Sequence, residues 1–368
     1  WRTVVAGRYI FGSVSMSVNG AASGLEASEW VWWVLMSLIG MASTVGLAFT
    51  GAGRVVWAVL MVIVSNFAYN VGETLNSAFL PEIADDRSIG KVSGWGWSFG
   101  YCGGLLTLGL SLAVVLAMQS KGFTAEDYVP YTMLITAVIF FIAALPLALW
   151  LKERAVPRTQ SSFWSLVKES QTSLIKTFKS LTAHRSFPWL VASGLFFRGG
   201  MAFVLHLPAV YSVQSMGFPP GETLLLVLLV NITAAIGAFA FGYVEDRIGH
   251  KNALIVTLFI WIAMVGVAYF AQTKALFWVA ANLAGIAMGS SQSAGRALVG
   301  VLAPEKDRAA FYSFWNMALW VANIIGPMTY GLITWVTGND QRLALLCTGM
   351  FFVVGLIFLL PMKLLKTK

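Results

Sequence analysis

The sequence predicts an all-α polytopic membrane protein, and three observations carry that prediction. Of 368 residues, 58% are hydrophobic and only 11% charged, where an ordinary soluble domain carries about 25% charge. Apolar runs of roughly 18 residues or more recur to the C-terminus, each long enough to cross a hydrocarbon core about 30 Å thick as a helix. The 24 Lys and Arg residues outnumber 16 Asp and Glu, a formal net charge of +8. They fall in alternate short connections rather than on one basic face, which is a membrane-topology pattern and not a nucleic-acid footprint.

Taken in order, the chain opens awkwardly. Residues 1–28 hold Arg2, Arg8 and many small residues, without a clean apolar core of about 20 residues. They read as a short span, part of one, or a lead-in. Ten clear spans follow, at 31–50, 53–80, 92–118, 130–151, 187–213, 220–243, 252–270, 276–298, 310–335 and 342–362. The longest polar connection divides them into an N-terminal bundle (1–151), a linker (152–186) and a C-terminal six-helix bundle (187–368). Phe163, Leu166, Val167, Ile175 and Phe178 line one side of an interfacial helix expected within the linker. Arg87 and Lys91, Arg247 and Lys251, Lys306 and Arg308, and the terminal Lys363, Lys366 and Lys368 all fall on one side when spans alternate. The excess of positive charge there places the linker and the C-terminus in the cytoplasm.

Charge inside the apolar slab costs several kcal/mol unless paired or hydrated, so ionisable residues within spans are site candidates. Glu73 shares one helical face with Asn66 and Asn70, either lining a cavity and binding protons or joining a helix–helix hydrogen-bond network. Arg198 sits about eleven residues into its span, near mid-membrane, suited to a substrate carboxylate or to an acidic partner such as Glu73. His206 follows as a proton-relay candidate. Arg296, preceded by Ser290, Ser291, Gln292 and Ser293, lies towards the cytoplasmic end, where snorkelling or a gate contact with an acidic loop residue is expected. Asn231, Asn282, Asn316 and Asn323 interrupt apolar spans as cavity-lining or interhelical residues.

The stretch AFLPEIADDRSIGKVSGWGWSFGYCGG concentrates charge and then glycine. Asp85, Asp86, Arg87 and Lys91 form a short cytoplasmic turn, with Asp85 and Asp86 placed to cap the next helix or to bind a basic residue nearby. Gly94, Gly96, Gly100, Gly103 and Gly104 leave one side of that helix bare for close approach by a neighbour. Trp30, Trp32, Trp33 and Trp335 fit an interfacial belt, while Trp95, Trp97, Trp315 and Trp320 fit interior packing. Cys102 and Cys347 form neither a metal motif nor a disulfide framework. There is no Walker loop, no H-E-x-x-H and no triad arrangement, so neither an enzyme nor a cofactor-binding protein is indicated.

A second charged turn, APEKDRAAFYSFWN, echoes the first and indicates two halves related by a parallel repeat. The loop GYVEDRIGHKN supplies Gly242 for close helix approach, Asp246 to accept from a helix N-terminus or an Arg, and Gly249 for a tight turn. Arg247 and Lys251 there add cytoplasmic charge. GYVEDRIGHK resembles the loop signature of the major facilitator superfamily. YNVGETLNSAFLPEIADDRSIGKVSGWGWSFGYCGG, GSSQSAGRALVGVLAPEKDRAAFYSFWN and NIIGPMTYGLITWVTGNDQRLALL resemble the branch of vacuolar amino-acid effluxers linked to autophagy and their bacterial relatives, over about residues 31–362.

The resemblance implies the major facilitator fold: twelve helices in two six-helix bundles, a central cavity, and rocker-switch alternating access. The chain departs from it in lacking a clear first helix pair and the matching first-half loop, so about two further spans are expected, hidden in 1–28 or absent. The function implied is secondary active export of a small polar solute such as an amino acid, coupled to its own gradient or to protons. The expected setting is the lipid bilayer of a bacterial inner membrane, with a vacuolar membrane as the alternative. A transporter-fold scaffold with a protein partner, and a sugar, drug or lipid transporter, remain open alternatives.

Overall fold

The computed structural model describes residues 29–51, 53–85, 87–150, 186–204, 217–304, 308–338 and 340–363. The expectations for 1–28, Asp86, the linker up to residue 185, His206 and Lys306 lie outside them. Among the described residues there are ten long helices and one short one: α1 (Glu29–Leu47), α2 (Val55–Ala78), α3 (Leu80–Ile83), α4 (Ile89–Gln119), α5 (Ala125–Trp150), α6 (Phe187–Val204), α7 (Pro220–Ile248), α8 (His250–Phe270), α9 (Lys274–Leu302), α10 (Arg308–Val336) and α11 (Gln341–Leu359). Nine are long and apolar enough to cross a membrane. The tenth, α9, is equally long at 29 residues but carries Ser290, Ser291, Gln292, Ser293 and Arg296.

Helix starts follow local chemistry. The Asp340 carboxylate accepts from Leu343 N–H (2.9 Å) to open α11, and Thr273 Oγ1 accepts from Leu276 N–H (3.3 Å) to open α9. Each satisfies one of the four amides a helix start leaves unpaired. The segment read from sequence as a loop from Gly242 to Asn252 is mostly helix. Gly242, Asp246 and Arg247 complete the last turns of α7, and the reversal is confined to Gly249 at φ +87°. Only glycine adopts that conformation without strain, so one residue suffices where a longer loop was expected.

The described helices gather into two units. The smaller takes in the described parts of Tyr9–Phe79 and Gly103–Lys176. Its core joins Trp33 and Met36 of α1, Ala68, Val71 and Leu75 of α2, Phe79, and Ala144 of α5. Trp33 is therefore a core residue at 7% exposure and not part of an interfacial belt, because it faces α2.

The larger unit combines Leu80–Cys102 with the described part of Thr177–Lys368. The start of α4 thus packs among the helices that follow the linker. Crossings here are close. A Cβ on Gly285 of α9 would stand 2.5 Å from the Val230 carbonyl of α7, and one on Gly295 2.9 Å from the Trp315 ring. Trp261 and Phe352 stack with centroids 4.8 Å apart. In membranes such small-residue contacts replace the hydrophobic effect as the source of helix association.

Candidate functional site

Two polar centres lie in the larger unit, joined by the first half of α4. The sequence spaces Ser93, Trp97 and Tyr101 four residues apart, which sets them in one stripe of that helix. The stripe meets α9. Ser93 Oγ donates to the Ser293 carbonyl (2.9 Å) and accepts from Arg296 Nε (3.2 Å), while Arg296 Nη2 donates to the Ser93 carbonyl (2.8 Å). The Arg296 guanidinium also lies 5.6 Å from the Trp97 ring centre, a cation–π contact. Tyr312 of α10 donates its hydroxyl to the Arg296 carbonyl (3.0 Å). Arg296 thus turns inward onto α4 rather than snorkelling towards the surface.

One helical turn further, Tyr101 leads to the first centre. Gln292 Nε2 donates to the Tyr101 hydroxyl (2.5 Å), and Gln292 Oε1 accepts from Arg198 Nη1 (3.0 Å). Arg198 Nε donates to Asn323 Oδ1 of α10 (3.3 Å), and its Nη1 also approaches the Met201 sulfur at 3.2 Å. Four elements, α4, α6, α9 and α10, thereby hold one guanidinium in a fixed pose. Among the described residues no carboxylate lies within 4.0 Å of it, since the three ion pairs found join other groups. A cation fixed by neutral oxygens in an apolar helix bundle retains unused charge and donor capacity, suited to a carboxylate or another planar anion.

The second centre is the start of α4. The Asp85 carbonyl accepts from Ser88 N–H (2.8 Å) and Ile89 N–H (2.9 Å), and Val92 N–H donates to the Ser88 carbonyl (3.0 Å). The amides between them belong to Asp246 of α7. Gly90 N–H donates to Oδ1 (3.0 Å), Lys91 N–H donates to Oδ2 (3.2 Å), and Lys91 Nζ stands 3.8 Å from Oδ2. The carboxylate capping α4 is therefore that of Asp246, 156 residues away; Asp85 contributes its backbone and is exposed. Contact is permitted by glycine. A Cβ on Gly94 would stand 3.0 Å from Gly242 Cα and closer still to the Ala238 carbonyl.

The remaining expected residues are distributed otherwise. The close approach read from the glycine run is found at Gly94 and Gly96, and also at Gly90, whereas at Gly100, Gly103 and Gly104 no described atom lies within 4 Å of a Cβ position. A Cβ on Gly96 would meet Arg296 Nη2 at 2.9 Å. Lys251 donates to the carbonyls of Leu360 (2.7 Å) and Met362 (2.6 Å), binding the end of α11. Arg87 and Arg247 are exposed. Asn231 Nδ2 donates to Val227 O (2.8 Å), and Asn282 Nδ2 donates to Trp278 O (2.8 Å), within their own helices. Asn316 is buried on α10. In the smaller unit, Asn66 Nδ2 donates to Val62 O (2.9 Å) and Asn70 Nδ2 to Asn66 O (2.6 Å), with Glu73 half-buried one turn on.

Sequence reading missed Tyr101 and a buried pair, Glu245 and His250, in contact at 2.6 Å. The four-residue spacing from Ser93 through Trp97 to Tyr101 was the available signal for the first. No pattern announced the second.

The sequence model of the family described as "Vacuole effluxer Atg22 like" matches residues 86–368. An uncharacterized MFS-type transporter, YxiO, of Bacillus subtilis is 23% identical over 322 residues, covering 87% of this chain and 74% of that protein. Autophagy-related protein 22 of Yarrowia lipolytica is 22% identical over 332 residues, covering 81% of this chain; the chain spans 55% of that fungal relative's length. Among solved structures, the major facilitator transporter FucP in its outward conformation superposes with a TM-score of 0.77 at 16% identity, over 99% of this chain and 90% of that one. The proton:xylose symporter XylE gives 0.72 at 17% identity, over 97% and 84%. At such identities the likeness is one of fold, and the fold is the all-α major facilitator fold.

Proposed function

Because this chain belongs to the Atg22-like vacuole effluxer family, we propose that it is a secondary active transporter exporting a small carboxylate-bearing solute, an amino acid being the simplest, by alternating access. One observation carries the reading: the Arg198 guanidinium, held by Gln292 and Asn323 with no carboxylate beside it among the described residues. An uncompensated cation among apolar helices is costly, and a substrate anion would offset that cost on binding. A neutral sugar offers no countercharge, and a scaffold needs no such group. Release of α4 by Asp246 and Arg296 is the gating motion in this reading, and Glu73 is its coupling proton carrier. The membrane is a bacterial inner membrane with the C-terminus cytoplasmic.

Purified protein in liposomes, offered labelled neutral amino acids under an imposed pH gradient, tests the proposal. Saturable flux for at least one is expected, with loss of its dependence on the gradient in Glu73→Gln. No saturable flux across a broad panel contradicts export of amino acids.

A further inference from the structure

The Glu245–His250 pair lies outside the Arg198 centre, and the inference drawn from it rests on the release of α4 from Asp246 taken above as the gating motion. Glu245 is 0% exposed, one residue before Asp246 on α7. Its Oε1 is 2.6 Å from His250 Nδ1 across the Gly249 turn, and its Oε2 is buried without a hydrogen-bond partner among the described residues. The pair is covered by the start of α4: a Cβ on Gly90 would stand 3.1 Å from both Cβ and Cδ of Glu245, and 2.5 Å from Asp246 Oδ1. Two adjacent carboxyl groups therefore back onto one helix start, of which Asp246 alone receives the amides. We propose that Glu245 and His250 form a proton-binding site whose occupancy sets how firmly Asp246 holds the start of α4.

The charges facing Glu245 define the balance. Asp246 lies beside it on α7 and is matched by Lys91 of α4 at 3.8 Å. Arg296 of α9 acts on Glu245 at longer range while its guanidinium is committed to Ser93. Lys251 of α8 is directed to the carbonyls of Leu360 and Met362. Among the described residues His250 is left as the direct partner of Glu245. A buried carboxylate with one unpartnered oxygen is strongly disfavoured as a net charge, and the pair is neutral overall only when it holds one proton. The His250 side chain keeps 11% exposure, an edge through which that proton reaches water.

When the start of α4 lifts away, Gly90 no longer covers Glu245 and both groups meet solvent. The opened pair then binds its proton less tightly than the covered pair, because water solvates the charge of either group. Closure takes up at most one proton. Linkage makes the closed-to-open ratio rise by up to about tenfold per pH unit as pH falls through the range in which the opened pair has lost the proton that the closed pair keeps.

The test reads a distance rather than a flux, so its failure is distinguishable from that of the transport reading. The exposed Arg87 and Arg247 are replaced by cysteines carrying spin labels, in a background of Cys102→Ala and Cys347→Ala. Distance distributions are recorded between pH 8.5 and 6. The expected result is a short-distance population that grows as pH falls, with that growth lost in Glu245→Gln and in His250→Gln. A short-distance population that is constant across the range overturns the proposal from the unmutated pair alone, whether or not the variants fold. A folded Glu245→Gln or His250→Gln protein that keeps the original pH slope overturns it too.

Discussion

Replacing Asp246 by Asn probes the hold on α4 with little change of shape. The aspartate accepts two backbone N–H bonds, from Gly90 and Lys91, at 3.0 and 3.2 Å. Hydrogen bonds to a charged group contribute about 1.5–3 kcal/mol each and neutral ones about 0.5–1.5. Asn retains one acceptor oxygen, so one amide keeps a weaker partner and the other loses its own. The carboxylate's attraction to the helix N-terminus, about 0.3–1 kcal/mol, disappears as well. The net loss is at least about 2 kcal/mol, or roughly 30-fold or more in the local opening equilibrium. Lys91 contributes less: its ion pair is 3.8 Å long and its side chain 38% exposed, where such pairs are worth about 0–1 kcal/mol. Amide hydrogen exchange of the peptide spanning Ile89–Val92 reads this directly. Asp246→Asn accelerates exchange at Gly90 and Lys91 at least about 30-fold, and Lys91→Met less than about fivefold. Unchanged exchange in Asp246→Asn, or an equal effect from Lys91→Met, refutes the assignment of the cap.

Two further perturbations follow from the packing. Gly94→Ala drives a methyl group against backbone atoms of Ala238 and Gly242 that cannot rotate away, so it lowers thermal stability by about 1–3 kcal/mol less the roughly 1 kcal/mol of helix propensity gained. Gly100→Ala meets no described atom within 4 Å and gains up to about 1 kcal/mol of propensity; parallel melting curves that rank the two in the opposite order contradict the placement of the crossing. Lys251→Met removes both donors from the end of α11, at a cost of about 1–3 kcal/mol. Exchange of the segment around Leu360 should rise on the order of tenfold, and no change there would show that Lys251 does not hold it.

Much of this architecture was legible because membrane helices announce themselves. Apolar runs fixed all ten long helices, and the rarity of charge within them singled out Arg198, Glu73 and Arg296. The partners were not legible. Gln292 and Asn323 lie 94 and 125 residues from Arg198, and periodicity along one helix cannot say which distant helix it meets. The glycine run after Gly94 shows the same limit: composition gave the small residues, but only packing decides that Gly94 meets another backbone and Gly100 does not. Asp85 looked like the natural cap because it is adjacent in sequence. Asp246 takes the place because α7 extends to Ile248 and brings its carboxylate over the free amides.

The measurement closest to the central claim compares transport of a neutral amino acid with that of its carboxamide, in the unmutated protein and in Arg198→Met. A guanidinium anchor favours the carboxylate by about 1.5–3 kcal/mol, a preference on the order of 10- to 100-fold. That preference is expected in the unmutated protein, and its loss in Arg198→Met. Equal handling of acid and amide by the unmutated protein, or an undiminished preference in Arg198→Met, contradicts it.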